Sequence, residues 1–373
     1  LVQRHHLLEN PTVVVITDGS MSPGSATGTV PAVGSTPDTL PPVQAGDPAS
    51  HRWASIVQIT DPSYITGIAS DGETAWCSTR GGLVKWNLGT HAYTVYTTAD
   101  GLPGNVLSDV VLDGKKRVWV SSDVGIAVHE GSGWKVFNSR NGLPSDMVND
   151  LATDGEGVVW AATDRGVVSF PGGSPKVLGD KNGPGATQVS CTYFDLGKNI
   201  WIGTPDNGIF TKIQGTWVHL TAQSGLLLNK SFTITQDADN SIWSASPSGV
   251  SRWDSQGFQS FPIKRYTGTY DMRDLVGHNG SMWYFTANGI HVSTGSEWRH
   301  FTETEGLISN DVLCGTIDRN GVVYAGTING MSVIGKDGQP VSYTIPNTPF
   351  GRDFVFLAVD DGGLFAADAD GHD

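Results

Sequence analysis

Short runs of alternating apolar and polar residues dominate this chain. VLSDVVLD, RVWVSS, GIAVHE and WKVFNS follow one another between residues 106 and 139. Each is rich in β-branched or aromatic side chains and is bounded by Gly, Asp or Asn, which is the pattern of a half-buried strand ended by a turn. Four such strands joined by hairpins are expected here, and the same order of elements returns along the rest of the sequence.

The return is metrical. Trp76, Trp119, Trp160, Trp201, Trp243, Trp283, Tyr324 and Phe365 are spaced 43, 41, 41, 42, 40, 41 and 41 residues apart. A glycine follows each at six or seven residues: Gly82, Gly125, Gly166, Gly208, Gly249, Gly289, Gly330 and Gly371. Asp71, Asp113, Asp154, Asp195, Asp237, His278, Asp318 and Asp360 precede them by five or six. A four-stranded unit of this length cannot cover both faces of its own sheet, so its neighbours must, and a closed ring of such units is a β-propeller. The landmark aromatic is then a core residue between blades, and the glycine serves a hairpin that needs positive φ.

The eighth copy, FVFLAVDDGGLFAADADGHD, supplies two strands before the sequence ends, and HRWASIVQIT at the other end offers a further strand with Trp53. The expectation is therefore an all-β propeller of eight four-stranded blades spanning residues 51–373, closed by pairing of residues near 53–58 with residues 354–369. Seven blades plus an extra hairpin is the alternative. Residues 1–50 form an N-terminal arm, of which residues 18–50 have the Gly, Ser, Thr, Pro and Ala composition of a linker. Its TVVVIT stretch, residues 12–17, suits addition to an exposed sheet edge.

Composition agrees with this picture. Glycine numbers 48 of 373 residues and charged residues make up 16%, a balance that favours turns and strands over helical surface. A net charge of −14 opposes nucleic acid and anionic membranes. No apolar run approaches the roughly 18 residues of a membrane span, and LVQRHHLLEN has no signal-type apolar segment. Lacking an initiator Met, the sequence is expected to be a processed or truncated chain. Cys77, Cys191 and Cys314 match no metal or redox spacing and are expected to be small buried hydrophobes.

The units GLPGNVLSDVVLDGKKRVWVSSDVGIAV (101–128) and GLPSDMVNDLATDGEGVVWAATDRGVVSF (142–170) resemble the two-component regulator propeller repeat, with its GLP turn, polar residue, aliphatic alternation, Asp, Gly hairpin, Trp and closing Gly-aliphatic pair. The resemblance extends over about residues 60–370. The proline is replaced at Gly225-Leu226-Leu227 and Gly306-Leu307-Ile308. The resemblance implies a propeller in a bacterial extracytoplasmic setting, periplasm or cell surface, of the kind that forms the sensing part of sensor kinases, many of them responsive to glycans.

Propellers commonly bind at the end of the ring where the loops into the innermost strands and the hairpins between second and third strands gather. By the repeat ruler that end carries Arg80, Asp123, Arg165, Asn207, Ser248, Asn288, Asn329 and Asp370, with Asn105, Asp146, Lys230 and Asn310. These are candidate ligand-binding residues, yet Asn-Gly and Asp-Gly are also preferred hairpin dipeptides; Arg80 and Arg165 are the least explained by turn chemistry. DADNS (237–241), DRNG (318–321) and DADG (368–371) lack a full calcium loop. His129, His219, His278, His291 and His300 are scattered over different blades, and Asp109, Asp150 and Asp274 share a register on the innermost strands. No catalytic residue, metal or cofactor is assigned. The function expected is a non-enzymatic, extracytoplasmic protein-binding or assembly module, a scaffold or accessory subunit attached through its arm to a protein partner or to its own copies. A sensor of a glycan or peptide, or a propeller lyase or hydrolase, are the alternatives.

Overall fold

The computed structural model describes residues 62–344, apart from 132, 180–183, 186, 255–256, 263–270, 295–296 and 337, together with strands at 13–17, 55–59, 354–360 and 363–368. It divides into two units, Asp61–Gly351 and the terminal segments Leu1–Thr60 with Arg352–Asp373.

The larger unit is a ring of seven antiparallel four-stranded sheets, each built from consecutive strands. These blades span residues 65–96, 107–137, 148–177, 191–220, 233–262, 272–301 and 312–343. Their innermost strands are Ile65–Ser70, Leu107–Leu112, Val148–Thr153, Cys191–Phe194, Thr233–Gln236, Met272–His278 and Val312–Ile317. Alternation sends both faces of each sheet into neighbouring blades. Trp119 and Phe137 of blade two, for example, pack with Leu151, Val159, Val168 and Phe170 of blade three. Trp119 and Trp201 are 1% exposed and Tyr324 2%, so these three are plugs between sheets, and the half-buried Trp76, Trp160, Trp243 and Trp283 pack against the clusters between their blade and the next.

The upstream aspartate is explained by the same plug. Asp113 Oδ1 accepts the N–H groups of Lys115 and Arg117 and so forms the turn, while Oδ2 accepts Trp119 Nε1–H at 3.0 Å. Asp154, Asp195 and Asp237 hold Trp160, Trp201 and Trp243 in the same way at 2.7–3.0 Å. A buried indole N–H needs such an acceptor. At the other hairpin a hydroxyl residue closes the turn: Thr79, Ser122, Thr163, Thr204, Ser246, Thr286 and Thr327 each donate to the carbonyl of the repeat glycine. At Gly125 (φ +133°) a Cβ would strike the Phe137 carbonyl of the fourth strand, so glycine is required by contact as well as by backbone angle.

Seven blades, the alternative, and not eight complete the ring. Ser55–Ile59 pairs with Val13–Thr17, and Phe354–Asp360 with Gly363–Asp368, in two separate two-stranded sheets. The expected pairing of residues near 53–58 with residues 354–369 is therefore overturned. Blade one already owns its fourth strand, Tyr93–Tyr96, and Ser55–Ile59 finds an antiparallel partner in the β-branched run Val13–Thr17. Closure is by side chains: Ile65, Cys77, Val84 and Trp86 of blade one pack with Cys314, Tyr324, Met331 and Tyr343 of blade seven. Tyr343 Oη also donates to the Leu88 carbonyl at 3.0 Å. Trp53, Asp370 and most of the arm lie outside the described residues.

Candidate functional site

Because each blade runs in, out, in and out, the loops entering the innermost strands and the hairpins between second and third strands share one end of the ring. In five blades the innermost strand carries a β-bulge just inside that end, between Ile65 and Gly67, Leu107 and Asp109, Val148 and Asp150, Met272 and Asp274, and Val312 and Cys314. A bulge re-aims the extra side chain. Thr66, Ser108 and Asn149 use this to donate to carbonyls of the next blade's entry, Leu107, Val148 and Val189, at 2.7–2.9 Å.

Below the bulges one register holds Gly67, Asp109, Asp150, Cys191, Thr233, Asp274 and Cys314, opposite Ser78, Ser121, Ala162, Gly203, Ala245, Phe285 and Gly326. Innermost strands have a free edge, whose N–H groups need acceptors. Asp109 Oδ2 accepts from Leu151 N–H at 2.9 Å, Asp150 Oδ2 from Thr192 N–H at 2.8 Å, and Asp274 Oδ2 from Gly315 N–H at 3.0 Å. Each carboxyl thus clamps its blade to the next. Gly67 belongs to the same device, since a Cβ there would meet Asp109 Oδ1.

The crowding changes the chemistry of these acids. Burial, and after it the charge of Asp274, pushes Asp109 up to about 7 against the N–H bonds that favour its ionised form. Asp150 is raised by burial and by the Asp109 charge, and Asp274 by burial. The three residues are half-buried as a whole, but their carboxyl groups are turned onto the N–H groups of the next blade and act as inter-blade clamps. Cys191 and Cys314, in the same register, and Cys77 are all buried free thiols, raised by burial and unsuited to nucleophilic work.

Seven of the rim residues singled out from the sequence, Arg80, Asp123, Arg165, Asn207, Ser248, Asn288 and Asn329, sit in the hairpins between second and third strands, one per blade. Arg80 is exposed, with its guanidinium 3.8 Å from the centre of the Tyr64 ring. Asp123, Arg165 and Asn288 are exposed, whereas Asn207, Ser248 and Asn329 are half-buried. The backbone N–H groups of Arg165, Asn207, Asn288 and Asn329 donate to Thr163, Thr204, Thr286 and Thr327, which makes these residues turn formers first. Among the described residues no hydrogen bond or ion pair joins two of these seven side chains. Asn105, Asp146 and Asn310 brace the preceding loop by accepting from Thr98, Ser139 and Glu303 N–H. In the fourth such loop the brace is Asn229, accepting from Ala222 N–H at 2.6 Å, rather than Lys230.

Two features of the rim were missed. Val106, Val124 and Met147, 43–45% exposed, stand on the rim loops of blades two and three, and Leu228 (37%) on that of blade five. Val124 stands beside the charged turn residue Asp123, and a single apolar residue in a hairpin carries no periodic signal in the sequence. Arg273, the bulged residue of blade six, is the only Lys or Arg on an innermost strand among the described residues. It pairs with Asp271 at 2.9 Å and approaches Asp311 at 3.7 Å.

The histidines lie away from this end's axis. His219 Nε2 contacts the Asn207 carbonyl from a fourth strand, and His291 and His300 meet Nδ1 to Nδ1 at 2.6 Å on the third and fourth strands of blade six. Burial, then His300, lowers His291 to about 4. Among the described residues no group of three or more His, Cys, Asp or Glu could hold a metal ion, and no helix is long and apolar enough to cross a membrane.

The class these features define is a seven-bladed β-propeller. No family profile and no curated protein matches the chain. Among solved structures it is similar to the extracellular domain of the putative hybrid two component system BT3049 from B. thetaiotaomicron, with 20% identity and a TM-score of 0.62 over 74% of this chain and 39% of that one. It is also similar to PorZ, a bacterial surface component of the type-IX secretion system of Porphyromonas gingivalis, with 14% identity and a TM-score of 0.62 over 83% of this chain and 42% of that one. A streptogramin B lyase matches at 13% identity and a TM-score of 0.57 over 72% of this chain and 91% of that one. The chain spans about two-fifths of that extracellular domain's length. At these identities the likeness is one of fold.

Proposed function

We propose that this chain is a non-enzymatic, extracytoplasmic binding propeller that takes a protein partner on the rim described above. The observation that carries this reading is the placement of exposed apolar side chains: Val106, Val124 and Met147 stand on the rim loops of adjacent blades, interleaved with Asp123, Asp146 and Arg165. Exposed apolar side chains set among charged ones on neighbouring loops are the composition of a protein-binding surface. The extracytoplasmic setting is supported by the extracellular domain of a two component system and the surface component of a secretion system among the similar folds. Attachment through residues 1–50 is part of the proposal.

The test is oxidative footprinting of the untagged native particle beside the isolated chain, with cross-linking of residues 1–50 in the same samples. Met147 is expected to be protected in the particle, and the double variant Val124→Asp, Met147→Asp to lose its co-purifying chains without a fall in Tm. Equal oxidation of Met147 in both samples overturns the reading. The lyase alternative needs acid and base groups poised at substrate; here the axial acids are engaged by backbone N–H groups.

A further inference from the structure

A cavity of about 350 Å³ lies in the seam between blades five and six, and the repeat explains why it is there. Ten residues after each landmark aromatic, eleven in blade four, stand the bulky Trp86, His129, Phe170, Lys212, Trp253 and Ile334. Three of these press a ring onto the preceding blade: centre to centre, Trp86 lies 5.5 Å from Tyr343, Phe170 4.9 Å from Trp119 and Trp253 5.1 Å from Trp201. In blade six the same position is Ser293, paired with Met282. The serine leaves unfilled the space that a ring takes in those other seams, and Ser293 lines the cavity. Blade five contributes the stacked pair Trp243 and Phe261 to the lining, and blade six the stacked pair Tyr284 and Trp298 with Met282. The exposed lining residues, Ala238, Asp239 and Gly280, stand in hairpins between first and second strands, so the cavity opens at the end of the ring opposite the rim.

The lining selects the occupant. Aromatic rings and a thioether meet a flat ring in offset and edge-on contacts that a saturated body of the same size does not make. The volume stands at the low end of small-ligand pockets, about 300–1,000 Å³, and holds one ring system rather than a length of peptide. At the mouth the Asp239 side chain is 84% exposed, a carboxylate placed to accept from an N–H or O–H on the edge of that ring. We infer that the seam between blades five and six is a binding site for a free small aromatic molecule, of the size of indole, with a hydrogen-bond donor at its edge. The ligand's ring takes the place that Phe170 and Trp253 take in their own seams. The site shares no residue with the rim and stands apart from the partner reading.

The experiment is a methyl NMR titration of the full chain, labelled with methyl-¹³C methionine, using indole, phenol and cyclohexanol up to about 10 mM. Indole is expected to shift the Met282 methyl resonance, assigned with Met282→Leu, and to leave in place those of Met147 on the rim and Met331 between blades one and seven. Phenol should bind at least about threefold more tightly than cyclohexanol, its saturated counterpart, because only phenol makes ring-to-ring contacts. Ser293→Phe places in blade six a residue that blade three already uses; it is expected to leave the Tm no lower and to weaken indole about tenfold or more, since a packed seam has no room for a second ring. A Met282 methyl that stays still, one that moves together with Met147 and Met331, equal affinity for phenol and cyclohexanol, or undiminished indole binding to Ser293→Phe each overturn the inference. The first three are read on the native chain and decide the matter whether or not the variant folds.

Discussion

Asp109, Asp150 and Asp274 show how one side chain can be structural and titratable at once. Each accepts an N–H from the next blade, so each is positioned by the ring it helps to hold. A carboxyl whose folded pKa lies above its unfolded value binds its proton more tightly when folded. Its stabilising contribution is full below about pH 4 and is lost as pH rises through the folded value, about 7 for Asp109. The Tm advantage of the native protein over Asp109→Asn is therefore expected to shrink from pH 5 to pH 8; a constant difference defeats this account. His291 works in the opposite sense. Its folded pKa of about 4 is depressed, so its contribution is present above about pH 6.5 and lost as pH falls toward 4. Scanning calorimetry of His291→Phe should show a flatter acid limb, and an unaltered limb would exclude His291 as the source. The shared register of the three acids was legible in the spacing, but their acceptor role was not, because a free backbone N–H leaves no mark in the sequence.

At the scale of the element, the Gly-Leu turn before four of the blades is more regular than its sequence suggests. Gly101, Gly142, Gly225 and Gly306 have φ of 102–128°, and the following leucines, Leu102, Leu143, Leu226 and Leu307, are 4–5% exposed. The next residue is Pro103, Pro144, Leu227 or Ile308. Where proline is absent, the N–H it would have removed is satisfied: Leu227 donates to Ser251 Oγ at 2.9 Å and Ile308 to Ser332 Oγ at 3.0 Å. Where proline is present, Ala127 and Val168 occupy the serine's place. Proline without a serine and serine without a proline are two solutions to one requirement. Ser251→Ala alone should cost about 1–3 kcal/mol. With Leu227→Pro added, the denaturant-unfolding cycle should show about 1 kcal/mol of favourable coupling, and simple additivity would refute the pairing. The sequence made these copies look degenerate because the compensating serine lies 24 residues further on, in another strand.

At the scale of the whole molecule, the period, the strand order and the plugs between blades were all readable, while the number of blades was not. The eighth copy has the right spacing, and spacing carries no information about which strand a terminal strand will pair with. The decision is made by side chains at the junction of blades one and seven, from elements far apart in the chain. Since blades one and seven supply the described residues of that junction, a fragment of residues 61–351 is expected to unfold cooperatively with a Tm close to that of the full chain. A fragment that remains unfolded would restore a closing role to the ends.

The junction also sets the order of assembly. Most pairings in the ring join strands a few residues apart, so each blade can form soon after it is synthesised. The contact of Cys77 with Met331 and that of Leu88 with Tyr343 span 254 and 255 residues, and closing so long a loop is the costliest single ordering step. During synthesis the flank of blade one formed by Ile65, Cys77 and Trp86 waits uncovered until blade seven emerges. A nascent chain of six blades is an open arc with an adhesive edge at its amino-terminal side, and the interval before the seventh arrives is when this protein most needs a chaperone.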